Sequence, residues 1–308
     1  MIRVDRVASI DIGTNTILLL VAEVGGKKIK PLFEMETVVR LGEGVHRNGL
    51  LSKEAMDRGL QTLTQYLERC KTMEVQKAFA VGTSALREAK NSEVFLKLVK
   101  RKLDLSIEII SGEEEARLSF LAVSRDLREL NQSILVIDVG GGSTEFILGK
   151  GEWIEQWVSL PLGSVRFTEQ FLHSDPIQKR EWREMEKEIG KLLLEIPHPD
   201  DFFSMVAVGG TATTLASVEK GLKEFVPEKI HHHILKIEAL RKQIDLYRSK
   251  TIEERRRIPG LSPARADVIL AGGAILYMAM EALECPSALI SYHGIRYGLI
   301  YKRLNLDF

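Results

Sequence analysis

The sequence predicts an α/β protein of two domains, and three observations predict it. Its 308 residues exceed the usual size of one domain, so two of roughly 150 residues are expected. Short apolar runs that stop at glycine alternate with amphipathic stretches of helical period, the pattern of strands joined by crossover helices. One strand-and-loop pattern also occurs twice, 127 residues apart: residues 9–16 (SIDIGTNT) and 136–144 (VIDVGGGST). Each copy is an apolar strand ending in Asp, one apolar residue, a glycine, small polar residues and a second apolar strand. A domain-sized separation makes two similar domains the simplest explanation.

Taken in order, residues 7–13 form a strand stopped by Gly13, residues 17–24 a second strand, and Gly25-Gly26 a turn. Another β-rich stretch ends near Val39. Ser52 caps a helix whose apolar face carries Ala55, Met56, Leu60, Leu63 and Leu67. Residues 77–81 make a short strand, 92–102 a helix behind a Ser cap, and 106–110 a strand. The run SGEEE at 111–115 opens a helix reaching about Leu130, with glutamates in the first turn where the helix dipole favours them. The pattern then restarts. Residues 134–139 are a strand, 140–142 a glycine turn and 144–148 the return strand. A charged amphipathic helix covers 176–194, and a strand at 205–208 ends in Gly209-Gly210. Helices fill 211–221, 237–249, 263–283 and 294–303. No flexible linker stands out, so the domain boundary is expected inside the 113–130 helix, a rigid connector. That places one domain at 1–122 and the other at 123–294.

Composition narrows the function classes. Apolar residues make up 44% and charged residues 28%, as in folded globular chains. Lys+Arg and Asp+Glu balance at 43 each, so no basic field recommends nucleic acid or an anionic membrane as partner. An anionic ligand must be gripped locally. The two cysteines, Cys70 and Cys285, form no CxxC pair, which fits a reducing compartment. Residues 1–6 carry no signal-peptide apolar core, and the longest apolar run, 269–280, is short of the ~20 residues a bilayer needs. A cytoplasmic location is expected.

The glycine loops carry the chemistry. Successive N–H groups in a Gly-rich turn form a concave anion nest, and a missing Cβ lets phosphate approach. Gly140, Gly141, Gly142, Ser143 and Thr144 suit that task, as do Gly13, Thr14, Asn15 and Thr16. A third loop, Gly209-Gly210-Thr211, again follows an apolar strand and leads into a helix. One such loop is usually a plain turn; three suggest a phosphate cleft. There is neither a GxxxxGK[ST] P-loop nor a complete GxGxxG. Asp138 and Glu145 flank the triple-glycine turn, so a hairpin would put two hard oxygen ligands beside the nest, as Mg²⁺ sites do. Glu113, Glu114 and Glu115 would border the cleft, and Arg87, following a strand and opening a helix, suits bidentate phosphate binding. In a strand only His231 and His233 of the histidine run would share a face, and no third ligand is signposted, so no metal is assigned there. The run Arg255-Arg256-Arg257 is expected as a solvated face and Met278 and Met280 as core.

With these residues together, the chain resembles the exopolyphosphatase and guanosine pentaphosphate phosphatase (Ppx/GppA phosphatase) family of the actin/hsp70/sugar-kinase superfamily. The resemblance is carried by ASIDIGTNT, VGTSALREAKN, SGEEEARLSFLAV, VIDVGGGSTEFILG, VSLPLGSVRFTE, VAVGGTATTLA, residues 258–273 and HGIRYG. It implies two ribonuclease-H-like (actin-like ATPase) domains flanking a central cleft, with residues 295–308 packing back on the first. By motif, Glu115 resembles the catalytic glutamate, Asp138 and Glu145 the two cleft acids that hold Mg²⁺, and Arg87 the phosphate-gripping arginine. Asp11, Gly13, Thr14 and Asn15 match the first phosphate loop, residues 140–144 the second, and Gly209, Gly210 and Thr211 the nucleotide loop of the superfamily. The extra C-terminal helical domains of longer members are not in the sequence, so the resemblance does not extend to strong processivity on long chains. His232 replaces a common glycine and Tyr297 a common glutamate.

The function expected from this resemblance is metal-dependent hydrolysis of the terminal phosphoryl group of inorganic polyphosphate. Guanosine pentaphosphate is the alternative substrate, with guanosine tetraphosphate a possible ligand. A small-molecule kinase and a non-catalytic alarmone sensor are the alternatives from other classes. Oligomeric state is left open, a homodimer included.

Overall fold

A computed structural model describes residues 5–26, 28–129, 132–199 and 202–306. Backbone contacts divide the chain into two units. One runs to Ala122 and takes in the chain again from Ile295; the other is Val123–Gly294. The division falls inside the helix Gly112–Asp126. Leu130, the expected end of that helix, lies outside the described residues.

The first unit holds strands β1 (Asp5–Ile12), β2 (Thr16–Gly25), β3 (Lys28–Val38), β4 (Lys77–Gly82) and β5 (Ile107–Ile109), in the order β3-β2-β1-β4-β5. β1, β2 and β3 are antiparallel, whereas β4 and β5 run parallel to β1. Period-2 alternation sends Ala8, Ile10 and Ile12 to a core with Leu63, Tyr66, Phe95 and Val99 of the helices Lys53–Thr72 and Ser92–Leu103. Val7, Leu20 and Ala22 face the other way, against Ala122 and against Tyr297 and Ile300 of the helix Ile295–Arg303. Burial on both faces is why β1 and β2 look continuously apolar in the sequence.

The second unit repeats the plan. Its strands are β6 (Ser133–Val139), β7 (Thr144–Lys150), β8 (Trp153–Leu160), β9 (Phe203–Val208), β10 (His233–Lys236) and β11 (Ser287–Ile290), in the order β10-β11-β9-β6-β7-β8. The strand bearing the repeated Asp is again central, with an antiparallel hairpin on one side and a parallel strand, β9, on the other. The internal echo in sequence is thus an echo of topology. Leu135, Ile137 and Val139 face a core shared with the helices Lys179–Leu192, Gly209–Glu219, Ile237–Arg248 and Ile269–Ala282. Met280 is fully buried there and Met278 packs at its margin.

Several boundaries differ from expectation for local reasons. Ser92 is the first helical residue rather than the cap; the cap position belongs to Asn91, whose amide instead clamps both the N–H and the C=O of Leu51. The helix expected at 176–194 starts at Lys179, because Gln178 and Glu181 form a capping box. The 263–283 helix splits into a 3₁₀ turn at Pro263–Arg265 and a helix from Ile269. The arginine run is not wholly a solvated face. A capping box of Thr251 and Glu254 starts the turn Ile252–Arg255 and swings Arg255 inward, where it is 0% exposed and donates to the carbonyls of Tyr247 and Ala266. Arg256 and Arg257 stay outside and pair with Glu253. No described helix is long and apolar enough to cross a membrane.

Candidate active site

In each unit the expected site residues sit at the carboxyl ends of the central parallel strands, where open α/β sheets bind ligands. In the first unit, Asp11 lies near the end of β1 and Gly13, Thr14 and Asn15 follow it; Arg87 follows β4, and Glu115 lies in the first turn of the helix after β5. In the second, Asp138 lies near the end of β6, Glu145 on β7, and Gly209, Gly210 and Thr211 follow β9.

The three glutamates of the first-unit helix part company by helical phase. Glu113 pairs with Arg117 one turn on, Glu114 with Lys302, and Glu115 turns inward and is 7% exposed. Arg87 Nη1 donates to Glu115 Oε2 at 3.1 Å and to the Ile110 carbonyl at 2.9 Å, so the guanidinium fixes the carboxylate in place.

The two hairpin loops share one construction. In the first, Gly13 N–H donates to Thr16 O; in the second, Gly140 N–H donates to Ser143 O, both at 3.0 Å. In each, a separate segment then clamps the loop carbonyls. Gly42 N–H donates to Thr14 O, and Val39 and Arg40 N–H both donate to Asn15 O. A Cβ on Gly42 would fall 2.4 Å from Thr14 Cγ2, so only glycine permits that approach. Asn15 is buried, and among the described residues neither its amide oxygen nor its amide nitrogen has a hydrogen-bond partner, an unmet demand that a ligand could satisfy.

In the second loop, Gly140 O accepts from Ser164 N–H (2.9 Å), Gly141 O from Val165 and Arg166 N–H (2.9 and 3.1 Å), and Gly142 O from Arg166 Nε (2.8 Å). A trans peptide points its C=O and the next N–H in opposite directions. Holding three consecutive carbonyls on one side therefore turns the N–H groups of Gly141, Gly142 and Ser143 to the other side. Such a row has the form of an anion nest. Gly163 makes it possible: a Cβ there would fall 2.3 Å from Gly141 O.

Asp138 and Glu145 are direct partners across β6 and β7, so both carboxylates lie on one face of the hairpin beside the nest. Glu145 is 1% exposed, and Ser159 Oγ donates to its Oε1 at 2.7 Å. Gly209 has φ +84°, and a Cβ on it would meet Asp138 Oδ1 at 2.6 Å; glycine leaves room for the carboxylate. Thr211 Oγ1 donates to Val139 O, tying the third loop to β6.

Other contributors had no role in the sequence reading. Gly163 and Arg166 lie in a quoted motif, yet neither spacing nor composition marked them, because their partners are about two dozen residues away. Arg265 packs its guanidinium against Gly210, where a Cβ would fall 2.2 Å from Nη2. The two replaced family positions also find partners. Tyr297 donates its hydroxyl to Glu34 at 2.7 Å, and Glu34 pairs with Arg296 at 3.1 Å. His232 keeps the left-handed conformation that suits glycine, φ +62°.

That conformation rearranges the histidine run. His231 and His232, not His231 and His233, come together: both reach Asp126, at 3.3 and 2.8 Å, with rings stacked at 3.9 Å, while His233 pairs with Glu219. His293 also faces Asp126, at 3.5 Å. Ligand-type atoms of Asp126, His231 and His293 lie within 4.8 Å of one another, a composition that would suit zinc. The wiring does not suit it. Tyr292 N–H donates to His231 Nδ1 at 3.1 Å, so the neutral ring keeps its proton on Nε2, the atom that would have to bind the metal.

Burial pushes the Asp126 carboxyl up, but the His231 bond, the His293 charge and the His232 bond together bring it down to about 2. A depressed carboxyl stabilises the fold above its unfolded pKa of about 4 and loses that contribution as pH falls toward 2. Asp126→Asn is expected to be about 2 kcal/mol less stable than wild type near pH 5, with the gap closing by about pH 2. Urea unfolding of both proteins across that range checks it.

A profile of the Ppx/GppA phosphatase family matches residues 20–306. The chain belongs to the Ppx/GppA phosphatase family. Among curated members, it is 36% identical to a bifunctional 3-dehydroquinate synthase/phosphatase of Fusobacterium nucleatum, spanning 96% of this chain but 46% of that protein. It is 33% identical to Exopolyphosphatase 2 of Mycobacterium tuberculosis over 96% of this chain and 97% of that one. Among solved structures, the Ppx/GppA family member of Aquifex aeolicus superposes with a TM-score of 0.83 at 34% identity, covering 98% of both chains. This Ppx/GppA chain therefore has the α/β fold of two similar units that its repeated motif implied.

Proposed function

We propose that this Ppx/GppA phosphatase is an exopolyphosphatase that hydrolyses the terminal phosphoryl group of inorganic polyphosphate. The observation that carries the reading is the loop 140–143, with three consecutive carbonyls clamped by residues 164–166, beside two paired carboxylates. Its mycobacterial relative named an exopolyphosphatase aligns over nearly its full length.

Phosphoryl transfer asks mainly for positioning and charge stabilisation. Glu115, oriented by Arg87, accepts a proton from the attacking water as its oxygen bonds to the terminal phosphorus. The bond to the bridging oxygen breaks, leaving orthophosphate and a chain one unit shorter. The N–H groups of Gly141, Gly142 and Ser143 hold the charge on the transferred group. Arg87 offers its remaining N–H groups to phosphate, and Asn15 with Gly13 and Thr14 takes a second phosphate of the chain.

The donor set fits a divalent cation. Asp138 and Glu145 are like charges directly opposite on adjacent strands, a pairing that costs stability and that a cation beside them would offset. They would hold Mg²⁺, whose charge when bound draws electron density from phosphate oxygens.

The test is orthophosphate release from tripolyphosphate, long polyphosphate and guanosine pentaphosphate, with Mg²⁺ and then with EDTA. Metal-dependent release from polyphosphate without any acceptor is expected, and it would exclude a kinase. Release from the nucleotide alone would move the chain to alarmone hydrolysis. Silence on all three would overturn the reading.

A further inference from the structure

We propose that Arg166 is a positioning residue of the reaction, holding the Gly142 carbonyl so that the Ser143 N–H faces the transferred phosphoryl group. The inference rests on the glycine loop being the phosphoryl-holding loop.

The loop's three clamps are not alike. The carbonyls of Gly140 and Gly141 are held by backbone N–H groups at the start of the helix Ser164–Phe171, donors that any sequence would supply there, and Ser164 Oγ only adds a second bond to Gly140 O at 3.2 Å. The third carbonyl, Gly142, is held by a side chain, Arg166 Nε at 2.8 Å. The direction of the Ser143 N–H therefore depends on which residue occupies position 166. Gly142 has no Cβ to restrict its torsions, so its own backbone chooses no one orientation of that peptide. If the clamp were lost and the peptide turned over, a carbonyl oxygen would face the phosphoryl group in place of an N–H. Dipole attraction would become repulsion where negative charge gathers.

Arginine suits the task. Its Nε–H lies in the rigid plane of the guanidinium, so the donor direction is set once the plane is set. The same residue's backbone N–H donates to Gly141 O, which anchors the side chain's root to the loop it holds. A lysine would keep the positive charge and the aliphatic stem but not that in-plane donor.

The experiment compares wild type, Arg166→Lys and Arg166→Gln for phosphate release from tripolyphosphate, with thermal midpoints for each. In both variants kcat is expected to fall by about a hundredfold to a thousandfold, as for loss of one oriented donor. KM, set by the whole substrate chain, should change less than about threefold, and midpoints by only a few degrees. Ethylguanidinium added to Arg166→Ala should restore part of kcat, and ethylammonium at equal concentration should not. Near-wild-type kcat in Arg166→Lys would mean that charge alone matters and would overturn the proposal. So would loss of kcat, KM and midpoint together, the mark of a purely structural role. If wild type itself releases no phosphate, the assigned reaction has failed. Orthophosphate titration calorimetry then decides this inference: about tenfold weaker binding in both variants upholds it and equal binding overturns it.

Discussion

Glu115→Gln is expected to lower kcat for phosphate release by about three orders of magnitude, the loss typical of removing a general base. The amide keeps the shape of the carboxylate and can still accept from Arg87 Nη1, which is also anchored on the Ile110 carbonyl. The site should therefore keep its geometry and lose only the ability to take a proton. KM should hold within a few-fold, because the role proposed for Glu115 is on the water and not on the bound chain. Stability should fall by about 1 kcal/mol, since the ion pair is replaced by a neutral hydrogen bond. The check is steady-state kinetics on tripolyphosphate together with urea unfolding. Turnover near that of wild type would remove Glu115 from proton transfer. A collapse of stability in step with activity would make it a packing residue.

Gly163→Ala is expected to have an effect of comparable size by a different route. The new methyl carbon would sit 2.3 Å from Gly141 O and 2.5 Å from the carbonyl carbons of Gly141 and Gly142, all backbone atoms of the nest. Nothing flexible stands there to give way, so the clamp and the loop must separate. Loss of the carbonyl clamps releases the N–H groups they orient, and a fall of at least about a hundredfold in kcat follows. Overpacking of this kind also costs about 1–3 kcal/mol of stability. Gly151→Ala is the control: a turn glycine with φ +58° and open space around its Cβ position. It should lose about 1 kcal/mol of stability and none of its activity. Equal kinetics in the two variants would show that the close approach of Gly163 to the loop does not matter.

Much of the fold could be read locally because its signals are local. The register of β6 and β7 follows from a short glycine turn between two apolar runs, so Asp138 and Glu145 were expected side by side, and they are direct strand partners. The same holds for the cap of the helix Lys53–Thr72, where Ser52 accepts from Ala55 N–H. Where the sequence misled, a distant partner had taken over a local group. Asn91 took the cap position from Ser92 because its amide clamps Leu51, forty positions away. Arg255 went inward because the carbonyls of Tyr247 and Ala266 receive it.

The sequence by itself determined the two-fold repetition of a strand, an acid and a glycine turn, and with it the positions of the glycine loops and their neighbouring acids. Period-2 alternation and glycine placement are enough for that, since each acts over a few residues. Only the tertiary structure decided which way the loop N–H groups point. That direction is imposed by Gly42 on the first loop and by Gly163 and Arg166 on the second, from segments more than twenty residues away. The histidine run is the same case. A left-handed residue at His232 and a carboxylate more than a hundred positions away turned two rings onto Asp126, and a single backbone N–H, that of Tyr292, kept the cluster from being wired for metal. Hydrogen-bond direction depends on the partner, and no periodicity in a sequence names a partner so remote.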